Sequence, residues 1–155
     1  MKKLLKVFAL ALLVAIAVPA AKAERVYTPV DKMPTQIQTF LNDYYANVPV
    51  AKSWIKMMRA TTEPMWYVVQ LKDGTKVKFN LEGNWYSINA KYADNGASIN
   101  LLPNEARSYI STNFPTQKIT SIKFKKDEYK VTLDNGQKIK FDKSYGVKVK
   151  KEKSK

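Results

Sequence analysis

The sequence predicts an α+β domain of two tandem repeats, each an N-terminal helix followed by an antiparallel sheet, with the strands joined in one continuous sheet and the helices on one face. Three observations carry this expectation. The chain repeats itself: Pro34, Ile37, Phe40, Leu41 and Tyr45 recur at an offset of 69 as Pro103, Ala106, Tyr109, Ile110 and Phe114. Further on, Tyr67, Val69, Leu71, Gly74, Val77 and Phe79 recur at an offset of 62 as Tyr129, Val131, Leu133, Gly136, Ile139 and Phe141. Within each copy the hydrophobic period changes from helical to alternating, and a glycine turn follows at the same place.

Each copy opens on a helix. Ile37, Phe40, Leu41, Tyr44 and Tyr45 fall at i, i+3, i+4, i+7 and i+8, which is one apolar stripe. Pro34 and Pro103 suit a first helical turn, where the missing N–H loses nothing. Pro49 and Pro115 predict helix ends near Asn47 and Asn113, because a residue preceding proline is pushed out of the helical region. The segment from Val50 to Ala60 reads two ways: as a strand with Ile55 and Met57 inward, parallel to Gln117–Lys125 of the second copy, or as a helix with Val50, Trp54, Met57 and Met58 in a stripe. The repeat favours the strand.

Tyr129, Val131 and Leu133 alternate with Lys130, Thr132 and Asp134, the pattern of a strand with one buried and one wet face. At Asp73-Gly74 and Asn135-Gly136 a two-residue turn would set Leu71 opposite Lys76. A three-residue loop with glycine in the left-handed position instead pairs Val69 with Val77 and Tyr67 with Phe79, and likewise Val131 with Ile139 and Tyr129 with Phe141. The organisation expected is a signal peptide at 1–23, a first repeat at 24–88, a linker at 89–101, a second repeat at 102–150 and a lysine-rich tail at 151–155.

The signal reading rests on Lys2, Lys3 and Lys6, an apolar run from Val7 to Val18, and Ala21-Lys22-Ala23 before Glu24. The run is shorter than the ~20 residues of a membrane helix, so a periplasmic or secreted protein with no stable membrane span after cleavage is expected. The 155 residues include 27 Lys plus Arg against 13 Asp plus Glu, a net charge of +14, with no cysteine and no histidine. Disulfides, thiolate catalysis, cysteine-ligated metals and histidine bases are therefore excluded. Only Arg25, Arg59 and Arg107 are arginine, so the planar forks that read phosphates and base edges are scarce and no nucleic-acid partner is expected. No cofactor or metal is expected either.

The Tyr-x-Val-x-Leu strands, the Asp/Asn-Gly turns, Phe79 and Phe141, the helix-initiating prolines and Gly83-Asn84-Trp85 are similar to the PepSY-like family of exported bacterial proteins. That family is also described as resembling beta-lactamase-inhibitor protein, and the similarity covers most of residues 33 to 150. It implies two helix-plus-sheet repeats in one sheet with the helices on one side, and no catalytic residues. The second copy departs from the pattern at Tyr145-Gly146-Val147, where an aromatic usually follows the glycine.

Ser53 and Lys56 have the Ser-x-x-Lys spacing of serine acyl-enzymes, but on a strand residues three apart point to opposite faces. No Ser-Asp-Asn or Lys-Thr-Gly element accompanies them. Strand parity points elsewhere. It turns Trp54, Met58, Trp66 and Val68 away from the helices, with Trp85 expected to join them, while Lys123, Lys130, Lys138 and Lys140 occupy the same face of the second copy. A face half aromatic and half basic suits a platform for an envelope or secreted protein, or for an acidic glycan held by stacking tryptophans and lysines. The competing reading is that the segment around Val26 and Tyr27, or the linker around Tyr92, covers the tryptophans.

Overall fold

The computed structural model describes residues 24–59 and 61–142 and the backbone of Val147–Val149. The expected signal peptide, the lysine tail and Gly146 lie outside the described residues. In chain order the elements are β1 (Arg25–Tyr27), α1 (Thr35–Tyr45), β2 (Val50–Met57), β3 (Pro64–Leu71), β4 (Lys76–Phe79), β5 (Trp85–Asn89), α2 (Asn104–Asn113), β6 (Ile119–Lys125), β7 (Glu128–Leu133), β8 (Lys138–Phe141) and β9 (Val147–Val149). Among the described residues the nine strands form one sheet, β1 to β9 in sequence order, and every neighbouring pair is antiparallel.

One core lies on one side of this sheet. Ile37, Phe40, Leu41 and Tyr45 of α1, and Ala106 and Ile110 of α2, belong to a single buried cluster with alternate strand residues, among them Val69, Val77, Ile88, Ile122, Val131 and Ile139. Both helices therefore cover the same face. Phe40 meets Phe79 edge to face at 5.3 Å between ring centroids, and Tyr109 meets Phe141 in the same way at 5.8 Å, a geometry that aromatic quadrupoles favour.

The prolines sit one position earlier than expected. Pro34 and Pro103 are the helix caps, with ψ of 142° and 157°, extended values that a first-turn residue cannot have. Their carbonyls accept from the N–H groups of Ile37 and Arg107 at 3.0 and 2.9 Å. Residues 50–57 are a strand, as the repeat argued. Tyr67 pairs with Phe79 and Val69 with Val77, and Tyr129 pairs with Phe141 and Val131 with Ile139, the register that the three-residue loop requires. Gly74 and Gly136 hold φ of +89° and +85° at the expected left-handed positions. In the first turn the Asp73 carboxylate accepts from both the N–H and the hydroxyl of the fully buried Thr75, at 2.8 and 3.0 Å.

Two features depart from simple alternation. Phe79 pairs with Trp85 while Lys78 pairs with Ser87, so Tyr86 is the extra residue of a β-bulge and parity reverses there. Before α2, Gly96 holds φ of +67°, and a Cβ placed on it would lie 2.5 Å from the Ile119 carbonyl oxygen. That carbonyl accepts from Ala97 N–H at 2.7 Å. The linker thus passes so close to β6 that only glycine fits.

Gly96→Ala is expected to cost about 2 to 3 kcal/mol, through left-handed strain and the backbone clash together. Gly136→Ala, where an added Cβ meets nothing within 4 Å, should cost less, and urea unfolding of the two variants checks the difference. A pH prediction comes from Tyr45, whose buried hydroxyl has no hydrogen-bond partner among the described residues. Burial first, and the negative charge of Asp73 second, push its pKa from 10.0 up to about 12. A phenol raised in the folded state contributes stability fully below about pH 10, and loses it as the pH rises toward 12. Tyr45→Phe should remove this alkaline loss without lowering stability at neutral pH, because it deletes an orphan buried hydroxyl. Thermal melts across pH 8 to 12 test both statements.

Candidate functional site

The face of the sheet opposite the helices is assembled by register. Tyr27 pairs with Trp54, Trp54 with Val68, Val68 with Lys78, and Lys78 with Ser87. The same row continues from Ser87 to Lys123, Lys130 and Lys140. In the next row Asn89, Ser121, Thr132 and Lys138 follow one another across β5 to β8. All four candidate lysines therefore stand together on three adjacent strands. Lys123, Lys130 and Lys138 are exposed and Lys140 is half-buried.

The aromatic half differs from the expectation. Trp54 is only 6% exposed and Val68 3%, yet neither belongs to the core beneath the helices. β1 covers the indole of Trp54: it pairs with the edge of β2 and lays Tyr27 edge-on to that ring at 6.4 Å. The Arg25 guanidinium stands 5.3 Å from the same ring centroid, and the Lys76 ammonium 6.0 Å. Lys78 caps Trp66 in the same manner at 5.9 Å. Such contacts are worth ~0.5 to 1 kcal/mol each at exposed sites, and they leave cations as the outer layer where an aromatic platform was expected. Trp66 is half-buried, and Met58, at 41%, is exposed. The segment around Val26 and Tyr27 supplies the cover; Tyr92 is exposed on the linker.

Trp85 is on the other face. The bulge at Tyr86 turns it toward the helices, where it packs 6.2 Å from Phe40 and 6.4 Å from Tyr129. It contributes to a cleft of about 250 Å³ lined by Gln36, Phe40, Gly83, Trp85, Phe124 and Tyr129. Sequence reasoning missed this cleft, because no hydrophobic pattern announces the inserted residue that redirects Trp85.

The acyl-enzyme pairing is not assembled. Ser53 pairs with the core residue Val69 while Lys56 pairs with Trp66 on the opposite face, and the Ser53 hydroxyl donates to the Thr28 carbonyl at 2.6 Å. Among the described residues no three acidic side chains come together as cation ligands. No helix among them is long and apolar enough to cross a membrane.

Residues 65–148 match the PepSY-like, beta-lactamase-inhibitor-like family, which is more than half of the chain. The protein belongs to this family. Solved structures of the same shape come from Bacteroides. A "putative calcium-regulated periplasmic protein" of Bacteroides thetaiotaomicron is 26% identical, with a TM-score of 0.72 over 80% of this chain and 94% of its own. Two proteins of Bacteroides vulgatus, each described as a "putative periplasmic protein", are 27% and 25% identical, with TM-scores of 0.72 and 0.70, each over 83% of this chain and over 97% and 100% of their own lengths. No curated protein sequence matches the chain. In this PepSY-like chain the open face is thus a lysine-bearing surface continuous with cation-capped tryptophans.

The burial of Trp54 has a measurable consequence. Trp54→Ala should destabilise by about 3 kcal/mol, as buried tryptophans do, whereas Met58→Ala should stay within about 1 kcal/mol as an exposed residue. Denaturant midpoints of the two variants separate a covered indole from an exposed one.

Proposed function

We infer that this protein is an exported, non-catalytic binding protein that engages a partner protein through the open face of its sheet, possessing two tandem copies of a helix-plus-sheet unit. The observation that carries the reading is the asymmetry of the sheet: both helices and the whole core occupy one face, and the other presents Lys78, Lys123, Lys130, Lys138 and Lys140 outward. Family membership supports it, since the family is named for a resemblance to an inhibitor of another protein.

The tandem reading is supported by matched positions making matched contacts, Phe40 on Phe79 and Tyr109 on Phe141. Export, with cleavage before Glu24, is supported by the periplasmic relatives and by β1, which begins at Arg25. A mature chain that starts at Glu24 enters the sheet at its second residue. It retains 23 basic residues against 13 acidic ones, and a net positive charge speeds encounter with acidic partners. The glycan reading is weaker, because Trp54 is covered, Trp85 faces the helices, and Trp66 on the open face is half-buried with Lys78 over its ring.

Photo-crosslinking in the living envelope tests the assignment. A photoreactive residue at Ser87, in the middle of the open row, should give a discrete protein adduct. One at Asp43, exposed on α1, should give none. Adducts from position 43 alone, or from neither, would overturn the reading.

A further inference from the structure

We propose that the lysine-lined groove across β6, β7 and β8 is a receptor for a short acidic segment of the partner, a run of Asp and Glu laid across the strands. This rests on the open-face reading above and specifies its chemistry. Lys123 is directly opposite Lys130, and Lys130 directly opposite Lys140. Directly opposed residues on one sheet face have Cβ atoms ~4.5 to 5.5 Å apart, and like charges so placed are destabilising. None of Lys123, Lys130 and Lys140 has a carboxylate within ion-pair distance among the described residues. The folded protein therefore holds three ammonium groups in a row against their mutual repulsion, with no counter-ion among the described residues to relieve it.

The surroundings make this row a groove. Ser121, Thr132 and Lys138 form its second wall, and the enclosed volume is about 310 Å³, at the lower end of the ~300 to 1,000 Å³ of ligand pockets. A few side chains fill such a space; a folded domain does not. The hydroxyls of Ser121 and Thr132 can donate to a carboxylate or accept from a backbone N–H. Three ammoniums spaced by the ~4.8 Å between strands leave two gaps, each able to seat one carboxylate between two positive charges.

The composition of the groove also selects among anions. No aromatic side chain lines it, which removes the stacking surface that nucleobases use. No arginine lines it either, so the bidentate fork that favours phosphate is missing. What remains is a set of point charges on flexible stems beside two hydroxyls, suited to carboxylates on an adaptable peptide.

Fluorescence anisotropy of labelled hexaglutamate with the mature chain tests the proposal, and hexauronate, an acidic oligosaccharide, is the competing probe. Saturable hexaglutamate binding should weaken at least tenfold in Lys130→Glu and in the double variant Lys123→Met/Lys140→Met. Lys91→Glu, which removes a cation on the linker, should leave it unchanged. Thermal melts at low salt establish that the variants are folded, and Lys130→Met is expected to melt no lower than wild type because it relieves repulsion. Equal weakening by Lys91→Glu and Lys130→Glu would reduce the effect to net charge and overturn the proposal. Tighter lysine-dependent binding of hexauronate than of hexaglutamate would overturn it in favour of a glycan. If hexaglutamate does not bind while the Ser87 adduct persists, the acidic-segment proposal falls and the open-face reading stands; loss of the adduct as well sinks both.

Discussion

Ser87 with Lys123, Ile88 with Ile122, and Asn89 with Ser121 are the three pairs by which the strands of the first half become continuous with those of the second. Their register decides the character of both faces. Ile88 and Ile122 enter the core and are fully buried, while Ser87 and Lys123 remain outside. A slip of one residue would set Lys123 among the core residues, and a buried ammonium without a partner costs several kcal/mol. The linker reinforces the choice, since Gly96 passes against the Ile119 carbonyl and Ala97 donates to it.

Much of this arrangement is legible in the sequence because it follows from period and repetition. Alternation in Tyr67–Leu71 and Tyr129–Leu133, combined with the demand that apolar residues share a face, selects the three-residue turns and the pairing of Tyr67 with Phe79. The ambiguity at Val50–Met57 yields to comparison with Gln117–Lys125. What stays hidden involves single residues and distant partners. The bulge at Tyr86 adds one residue between two aromatics, a change that periodicity does not register, and it reverses the facing of Trp85. β1 is three exposed residues with no readable pattern, and its partner Lys56 is far along the chain. Those two features account for the misplaced Trp85 and for the covering of Trp54, which the sequence offers only as the competing reading around Val26 and Tyr27. The lysine cluster was legible because neither feature intervenes between Lys123 and Lys140.

The two faces of the sheet also differ in how they respond to solvent. Burial of apolar side chains beneath α1 and α2 is short-ranged and almost indifferent to ionic strength, so the fold itself should persist across a wide range of salt. Repulsion among the outer lysines is screened within ~10 Å at 0.1 M salt. Stability and surface charge are thereby separated onto opposite sides of one layer, which lets the outer side change with little effect on the core.

Because every strand pairs with the next one in sequence, the sheet is a meander whose contacts are mostly local. The exceptions are the pairings that span a helix, β1 with β2 across α1 and β5 with β6 across α2. Local contacts close small loops at low entropic cost, and chains rich in them fold fast. The hairpins of β3–β4 and β7–β8 can form independently, each around its own glycine turn, before the halves meet at β5 and β6. A newly made chain would then spend little time with its strand edges open to aggregation.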